Sequence, residues 1–174
     1  MTAARITDSQ LQTLASQVGD ALMAQHLTLA CAESCTGGWV AKSLTDIAGS
    51  SRWFERGFVT YTNIAKQDML GVAPALLARA GAVSEEVVRA MSKGCLQHSR
   101  AALSLAISGI AGPGGGTKDK PVGLVWFAWG KTIPADALKL VSARQIFSGD
   151  RETVRRQAVA CALQGVLSLL NESA

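Results

Sequence analysis

Ser34 is the side chain in this sequence that is best placed to act as a nucleophile. It follows an apolar stretch of strand length, residues 27–33, and precedes Gly37 and Gly38, where a helical pattern begins. Such a junction exposes a side chain at the sheet edge and directs backbone N–H groups at whatever binds there. An oxyanion formed by attack of Ser34 would be held by the N–H groups of Thr36, Gly37 or Gly38. The alternative role of Ser34 is a helix N-cap.

A serine nucleophile needs a group that takes its proton, and the best candidate is Lys66. Ser34 does not lie in a G-x-S-x-G motif, and His26 and His98 lie at predicted helix ends, so a Ser-His-Asp hydrolase is not indicated. In Ser-Lys hydrolases the base is a lysine that desolvation or neighbouring positive charge keeps neutral. Lys66 follows a second predicted strand, residues 56–61, and neighbouring parallel strands end at the same sheet edge. A solvated helix lysine is the alternative.

Two more side chains at this edge could take part in the chemistry. Tyr61, the single tyrosine, lies at the end of the second predicted strand and could relay a proton or orient the Lys66 amine. It could equally be a half-buried or interface aromatic. Cys35 is a rival nucleophile, which would need a partner that lowers the pKa of its thiol.

A glycine-rich segment is a further candidate for binding. Residues 112–116 read Gly-Pro-Gly-Gly-Gly and follow a predicted buried strand that contains Ser108 and Gly109. Backbone N–H groups of such a loop can approach a phosphate closely, but the segment matches neither a Walker A loop nor G-x-G-x-x-G. A flexible surface loop is an equal interpretation. Arg151, next to the predicted helix cap Asp150, could clamp a phosphate or carboxylate or simply lie on the surface.

Alternating strands and helices are predicted to position these residues. The predicted strands cover residues 27–33, 56–61, 102–110, 122–129 and 138–147. The first predicted helix runs from about 8 to 25 and begins with a Thr7–Gln10 capping box. The second covers residues 37–47, and the third runs from its cap Asn63 to near Gly71. Three further helices are predicted to begin at Pro74, Ser84 and Asp150. This order predicts an α/β fold, a three-layer α/β/α sandwich with a mixed sheet, in a single domain spanning residues 1–174.

Composition narrows the class of protein. The chain of 174 residues is 48% hydrophobic and 17% charged, which is typical of a compact folded protein. Its net charge of +4 suits a small anionic substrate, while its few aromatic residues argue against a platform that stacks single-stranded nucleic acid. The four cysteines form no zinc pattern, and no signal peptide or long apolar stretch is present. We therefore expect a reduced cytoplasmic protein that binds neither nucleic acid nor membrane.

Five segments of the sequence together resemble one family. They are Ala32–Gly38, Arg56–Asn63 with Lys66, Gly81–Ser84, Ser108–Gly115 and Lys120–Gly123, in that order. They closely resemble the C-terminal domain of the competence/damage-inducible protein CinA, in particular its stand-alone form. The resemblance covers about residues 8–170, which is essentially the whole chain.

The resemblance implies a deamidase of nicotinamide mononucleotide (NMN), which forms nicotinate mononucleotide and ammonia and recycles pyridine nucleotides to NAD. It implies a Ser/Lys amidohydrolase with Ser34 as nucleophile, Lys66 as general base and Tyr61 assisting. No metal or other cofactor is expected. The substrate is expected to contact Thr36, Gly37, Gly38, Asn63, Ser108, Gly109, Gly112, Gly114, Gly115 and Arg151.

A homo-oligomer, for example a dimer, is also expected. Its interface could include Trp39, Trp53, Trp126 or Trp129, although these side chains could equally belong to the core.

Three other functions remain open. A non-catalytic nucleotide-binding regulatory module of the same fold would bind NMN without releasing ammonia. A pyrophosphatase acting on pyridine nucleotides would normally need metal-binding carboxylates, and the 13 acidic residues form no cluster in the sequence. A nucleic-acid-binding protein would bind in a steeply salt-dependent way.

Overall fold

A computed structural model of the protein describes residues 6–133 and 137–172, which form five β-strands, six α-helices and one 3-10 turn at Ser50–Arg52. The strands are β1 (Leu29–Glu33), β2 (Phe54–Val59), β3 (Leu103–Gly109), β4 (Leu124–Ile133) and β5 (Ala137–Ile146). The helices are α1 (Asp8–Ala24), α2 (Trp39–Thr45), α3 (Asn63–Leu70), α4 (Pro74–Ala80), α5 (Glu85–Gln97) and α6 (Arg151–Asn171).

The strands form one mixed sheet in the order β2-β1-β3-β4-β5. Strand β1 pairs in parallel with β2 on one side and with β3 on the other. Strand β4 is antiparallel to both β3 and β5. The predicted α/β fold with a mixed sheet is therefore confirmed.

Helices cover both faces of the sheet. Helices α1, α2 and α6 pack on large apolar side chains such as Leu105, Ile107 and Phe127. Helices α3, α4 and α5 pack on the opposite face, where the sheet presents mainly alanines: Ala30, Ala32, Ala106 and Ala128. Of the four tryptophans, Trp53 and Trp129 are buried in the core, whereas Trp39 and Trp126 are half-buried.

The predicted helix starts are confirmed at Thr7, Pro74, Ser84 and Asp150. The prediction that Asn63 caps α3 is wrong. The cap is Thr62, whose hydroxyl accepts the N–H of Ala65 at 3.1 Å, and Asn63 is the first helical residue. Strand β2 begins and ends two residues earlier than predicted, so Tyr61 lies in the connection to α3.

Helix α6 brings basic side chains next to the loop after β1. Its N-cap, Asp150, accepts the N–H of Thr153 at 2.8 Å, and Arg151 and Arg155 lie in its first two turns. The helix packs along α1. Arg156 of α6 forms an ion pair with Asp8 of α1 and another with Glu152 of α6 itself. Within the described parts of the chain, no helix is long and apolar enough to cross a lipid bilayer.

Candidate active site

The parallel pairing of β1 with β2 brings Ser34 and Lys66 together. Glu33 ends β1 and lies opposite Val59, which ends β2. The pairing continues one step further, because the Thr60 N–H donates to the Glu33 carbonyl at 2.8 Å. Ser34 follows Glu33 directly, and Lys66 lies in α3, which begins three residues after Thr60. The two side chains therefore meet at one sheet edge, as the sequence predicted.

The Lys66 amine is held between the serine hydroxyl and a backbone carbonyl. Its Nζ lies 3.0 Å from Ser34 Oγ and 2.8 Å from the Thr60 carbonyl oxygen. The side chain is 1% exposed, and desolvation lowers the pKa of Lys66 to about 8. A neutral amine that donates to the Thr60 carbonyl keeps its lone pair for the proton of Ser34. A hydroxyl and a neutral amine in this arrangement are able to act as a nucleophile and its general base.

Desolvation of its thiol argues against Cys35 as the nucleophile. The Cys35 side chain is 6% exposed, and desolvation raises the pKa of its thiol to about 12. The nearby Arg155 and Lys66 charges lower that pKa by less than desolvation raises it. Because the thiolate is the reactive form of cysteine, the raised thiol pKa disfavours Cys35 as a nucleophile at neutral pH.

Residues 35–38, after Ser34, form a tight turn that glycine makes possible. We call it the Ser34 turn. Gly37 and Gly38 have φ values of 59° and 95°, the left-handed region that glycine occupies without strain. The Gly37 N–H donates to the Ser34 carbonyl at 3.1 Å, and the Gly38 N–H donates to Glu33 Oε2 at 3.1 Å. Among the three amides predicted to hold an oxyanion, only that of Thr36 has no hydrogen-bond partner within the described residues.

Glu33 is an important residue that the sequence analysis missed. Its side chain is fully buried, and its carboxylate accepts the N–H groups of Gly38, Val40 and Ala41 at distances of 3.1, 3.1 and 2.9 Å. These amides start α2 and have no carbonyl partner within that helix. Glu33 thus anchors the helix start on the far side of the Ser34 turn. The available signal was an acid at the end of an apolar strand, close to the positive end of a helix.

We expect Glu33→Ala to lower the free energy of unfolding by about 2–4 kcal/mol, because one buried and two part-buried amides lose their acceptor. Urea unfolding at neutral pH would measure this loss. The matched control is Glu86→Ala, which removes an exposed acid from the first turn of α5 and should cost no more than about 1 kcal/mol. Equal losses in the two variants would show that the buried contacts of Glu33 contribute little.

Arg151 connects Tyr61 to the glycine-rich loop. Its Nη1 donates to the Gly112 carbonyl at 2.7 Å and its Nη2 donates to the Tyr61 hydroxyl at 2.8 Å. Tyr61 is 57% exposed, and its hydroxyl is bonded to Arg151 rather than to the Lys66 amine. The structure therefore places Tyr61 at the rim of the site instead of within the Ser34–Lys66 pair.

Some of the other predicted binding residues are exposed, and the rest are buried or half-buried. Gly114 and Gly115 are exposed in the glycine-rich loop, and Asn63 is exposed at the start of α3. Gly112 and Gly115 have φ values of 80° and 86°, so the loop depends on glycine there.

Three of the predicted binding residues instead contact the protein segments that surround the site. They are Ser108, Gly109 and Thr36. The Ser108 hydroxyl donates to the Ala82 carbonyl at 2.7 Å, which fixes the segment before α5. A Cβ on Gly109 would lie 3.1 Å from Cys35 Sγ, so β3 and the Ser34 turn are in close contact. The Thr36 side chain is fully buried, and its hydroxyl has no hydrogen-bond partner in the structure.

The polar groups of the site are suited to acyl transfer. They comprise a hydroxyl, an amine of lowered pKa, a backbone amide and the Arg151 guanidinium at the rim. Within residues 6–133 and 137–172, no group of three or more His, Cys, Asp or Glu side chains could hold a metal ion.

Comparisons with known proteins agree with this fold. The family described as CinA C-terminal domain matches residues 11–170. The chain is 58% identical over 159 residues to nicotinamide-nucleotide amidohydrolase PncC of Escherichia coli strain K12, covering 91% of this chain and 94% of that protein. It is 50% identical to the protein of the same name from Enterobacter agglomerans, covering 93% of this chain and 96% of that one.

A solved structure extends the comparison to three dimensions. It is the crystal structure of competence/damage inducible protein CihA from Agrobacterium tumefaciens, which superposes with a TM-score of 0.85 at 40% sequence identity. The match covers 98% of this chain and 99% of that one.

Together, the fold and the site define an α/β protein with a buried serine–lysine pair at the edge of a mixed sheet. The chain belongs to the CinA C-terminal domain family.

Proposed function

We propose that this protein is an amidohydrolase that converts NMN and water to nicotinate mononucleotide and ammonia by a Ser/Lys mechanism. The observation that carries the proposal is the 3.0 Å contact between Ser34 Oγ and Lys66 Nζ, with Lys66 buried and its pKa lowered to about 8. The high identity to proteins named nicotinamide-nucleotide amidohydrolase supports NMN as the substrate.

The first half of the reaction forms an ester with Ser34. Neutral Lys66 takes the hydroxyl proton while Ser34 Oγ attacks the carboxamide carbon of NMN. The carbonyl oxygen becomes an oxyanion, which the Thr36 N–H stabilises. Protonated Lys66 then gives a proton to the amide nitrogen, the C–N bond breaks, and ammonia leaves.

The second half hydrolyses the ester by the same groups. Lys66, neutral again, takes a proton from a water molecule that attacks the acyl carbon. The ester bond breaks, Ser34 recovers its proton from Lys66, and nicotinate mononucleotide is released. Protons and atoms balance over the cycle without an oxidant, reductant or metal ion.

The charges of NMN suit the surroundings of the pair. The pyridinium ring withdraws electrons from the carboxamide, and its positive charge helps to keep Lys66 deprotonated. The glycine-rich loop, residues 112–116, and Arg151, which donates to the Gly112 carbonyl, would hold the phosphate. Tyr61 assists by keeping Arg151 in place through its hydroxyl.

The proposed product fits a role in recycling pyridine nucleotides to NAD. The protein would act as a single cytoplasmic domain, as a homo-oligomer, and without a cofactor. The experiment that tests the function is product analysis after incubation of purified protein with NMN and a chelator. Equal amounts of ammonia and nicotinate mononucleotide are expected. Saturable NMN binding without either product would instead support the regulatory module.

The pH dependence of the rate should follow the Lys66 amine. The neutral form is the active base, so kcat/KM should rise with pH and level off above a midpoint of about 8. In the complex, the pyridinium charge lowers the pKa of Lys66 further, so the midpoint of kcat should be lower than that of kcat/KM. Steady-state ammonia release between pH 7 and 10 measures both. A rate that falls with pH across this range would contradict a neutral lysine base.

A further inference from the structure

We propose that Arg155 is a positioning residue for catalysis: it fixes the Cys35–Thr36 peptide so that the Thr36 N–H faces the oxyanion. This inference rests on the proposed amidohydrolase function. Arg155 does not contact Ser34 or Lys66 in any hydrogen bond found among the described residues. It acts on the reaction through the backbone.

The Arg155 guanidinium binds two successive carbonyl groups of the Ser34 turn. Its Nε donates to the Cys35 carbonyl at 3.0 Å, and its Nη2 donates to the Thr36 carbonyl at 2.8 Å. The guanidinium also lies over the Trp39 ring, 5.3 Å from the ring centroid. Because α6 and the aromatic ring both hold the side chain, the two hydrogen bonds have a fixed direction.

The orientation of the Thr36 amide follows from peptide geometry. The Cys35–Thr36 bond is trans, since the one cis peptide bond in the described residues is Gly112–Pro113. In a planar trans peptide the C=O and the N–H point in opposite directions. Because Arg155 holds the Cys35 carbonyl on its own side, the Thr36 N–H is turned away from Arg155.

The turn directs this N–H towards the reacting side chain. The hydrogen bond from Gly37 N to the Ser34 carbonyl closes a β-turn, and Cys35 and Thr36 both have negative φ, which is the pattern of a type I turn. In such turns the amide of the third residue faces the side chain of the first, as in Asx-type and ST-type turns. The Thr36 N–H is therefore on the Ser34 side.

Glu33 and Arg155 hold the turn from its two ends. Glu33 engages the N–H of Gly38, whereas Arg155 engages the carbonyls of Cys35 and Thr36. Without Arg155 the Cys35 carbonyl loses its hydrogen-bond donor, while the bonds from Gly37 N to the Ser34 carbonyl and from Trp39 N to the Thr36 carbonyl keep the turn closed. The Cys35–Thr36 peptide plane can then tilt within the closed turn, and the only unengaged amide of the three would turn away from Ser34. The substrate-binding groups Arg151 and residues 112–116 would be unaffected.

The test compares Arg155→Met and Arg155→Lys with wild-type protein in NMN deamidation. The matched control is Arg144→Met, because Arg144 also lies over a tryptophan ring, Trp126, at 6.0 Å. Arg144 is on β5, three strands from β1. We expect kcat of Arg155→Met to fall about 10- to 100-fold with KM changed less than about threefold, because the oxyanion exists only in the transition state. The pH midpoint should stay at the wild-type value.

The second variant and the control separate positioning from a general loss of structure. Arg155→Lys keeps the charge and can donate to one carbonyl, so it should recover part of kcat. Arg144→Met should retain the wild-type kcat. An unchanged kcat in Arg155→Lys and Arg155→Met, a loss confined to KM, or a shifted pH midpoint would each overturn the positioning role. If Arg155→Met does not fold, a wild-type kcat in Arg155→Lys would overturn it. Absence of ammonia release from the wild type would instead overturn the proposed function.

Discussion

Replacement of Ser34 by alanine is expected to reduce ammonia release from NMN by about 10³-fold or more, because no other group forms the acyl intermediate. The change removes a single hydroxyl from a side chain that is 8% exposed and leaves its packing in place, so the fold should persist. NMN binding should also persist, since the glycine-rich loop and Arg151 are untouched. Stopped assays of ammonia, together with calorimetric measurement of NMN binding, would measure both quantities.

The control for Ser34→Ala is Cys35→Ala at the neighbouring position. Cys35 is buried with a raised thiol pKa, so its removal should leave kcat nearly unchanged. Its cost should be about 1 kcal/mol of stability from lost packing. An inactive Cys35→Ala beside an active Ser34→Ala would reverse the assignment of the nucleophile.

Lys66→Met should lower kcat by about 10³-fold or more while NMN binding stays measurable, because the variant lacks the base for Ser34 and for water. The control is Lys93→Met, an exposed position on α5, which should keep wild-type activity. A variant in which only KM rises would make Lys66 a binding residue.

The same variant has a predicted signature in stability. Below pH 8 the Lys66 amine is charged in both the folded and the unfolded protein. Between about pH 8 and the unfolded value of about 10.4, only the unfolded chain keeps this proton, so the contribution of Lys66 to stability rises with pH, by at most about 3 kcal/mol. The buried thiols have raised pKa values and act in the opposite direction above about pH 8.5, equally in all variants. Chemical unfolding at pH 7, 8, 9 and 10 should therefore show a stability difference between Lys93→Met and Lys66→Met that changes with pH by this amount, and a difference that stays constant would contradict it.

The Ser34–Lys66 pair could be predicted from sequence because two local patterns define it. Each residue follows a strand, and parallel pairing of β1 with β2 places both strand ends at one edge. The sequence favoured Ser34 but left Cys35 open as a rival nucleophile, because the pKa of a thiol depends on its burial in the folded protein.

Contacts between distant residues account for what the sequence left unpredicted. Arg155 lies about 120 residues after the carbonyl groups that it binds, and nothing local in the sequence marks that contact. The end of the second predicted strand suggested that Tyr61 could relay a proton or orient the Lys66 amine, but its hydroxyl bonds Arg151 on α6. The N-cap of α3 is Thr62 and not the predicted Asn63. Threonine and asparagine are both good N-cap residues, so only the backbone conformation decides between them.

The most direct test of the account is to identify the residue that carries the acyl group during turnover. Protein mixed with saturating NMN would be quenched in acid, digested, and analysed by peptide mass spectrometry with fragmentation. We expect a nicotinoyl mononucleotide ester on Ser34, which is absent from Ser34→Ala. An acyl group on Cys35, or undiminished ammonia release by Ser34→Ala, would contradict it.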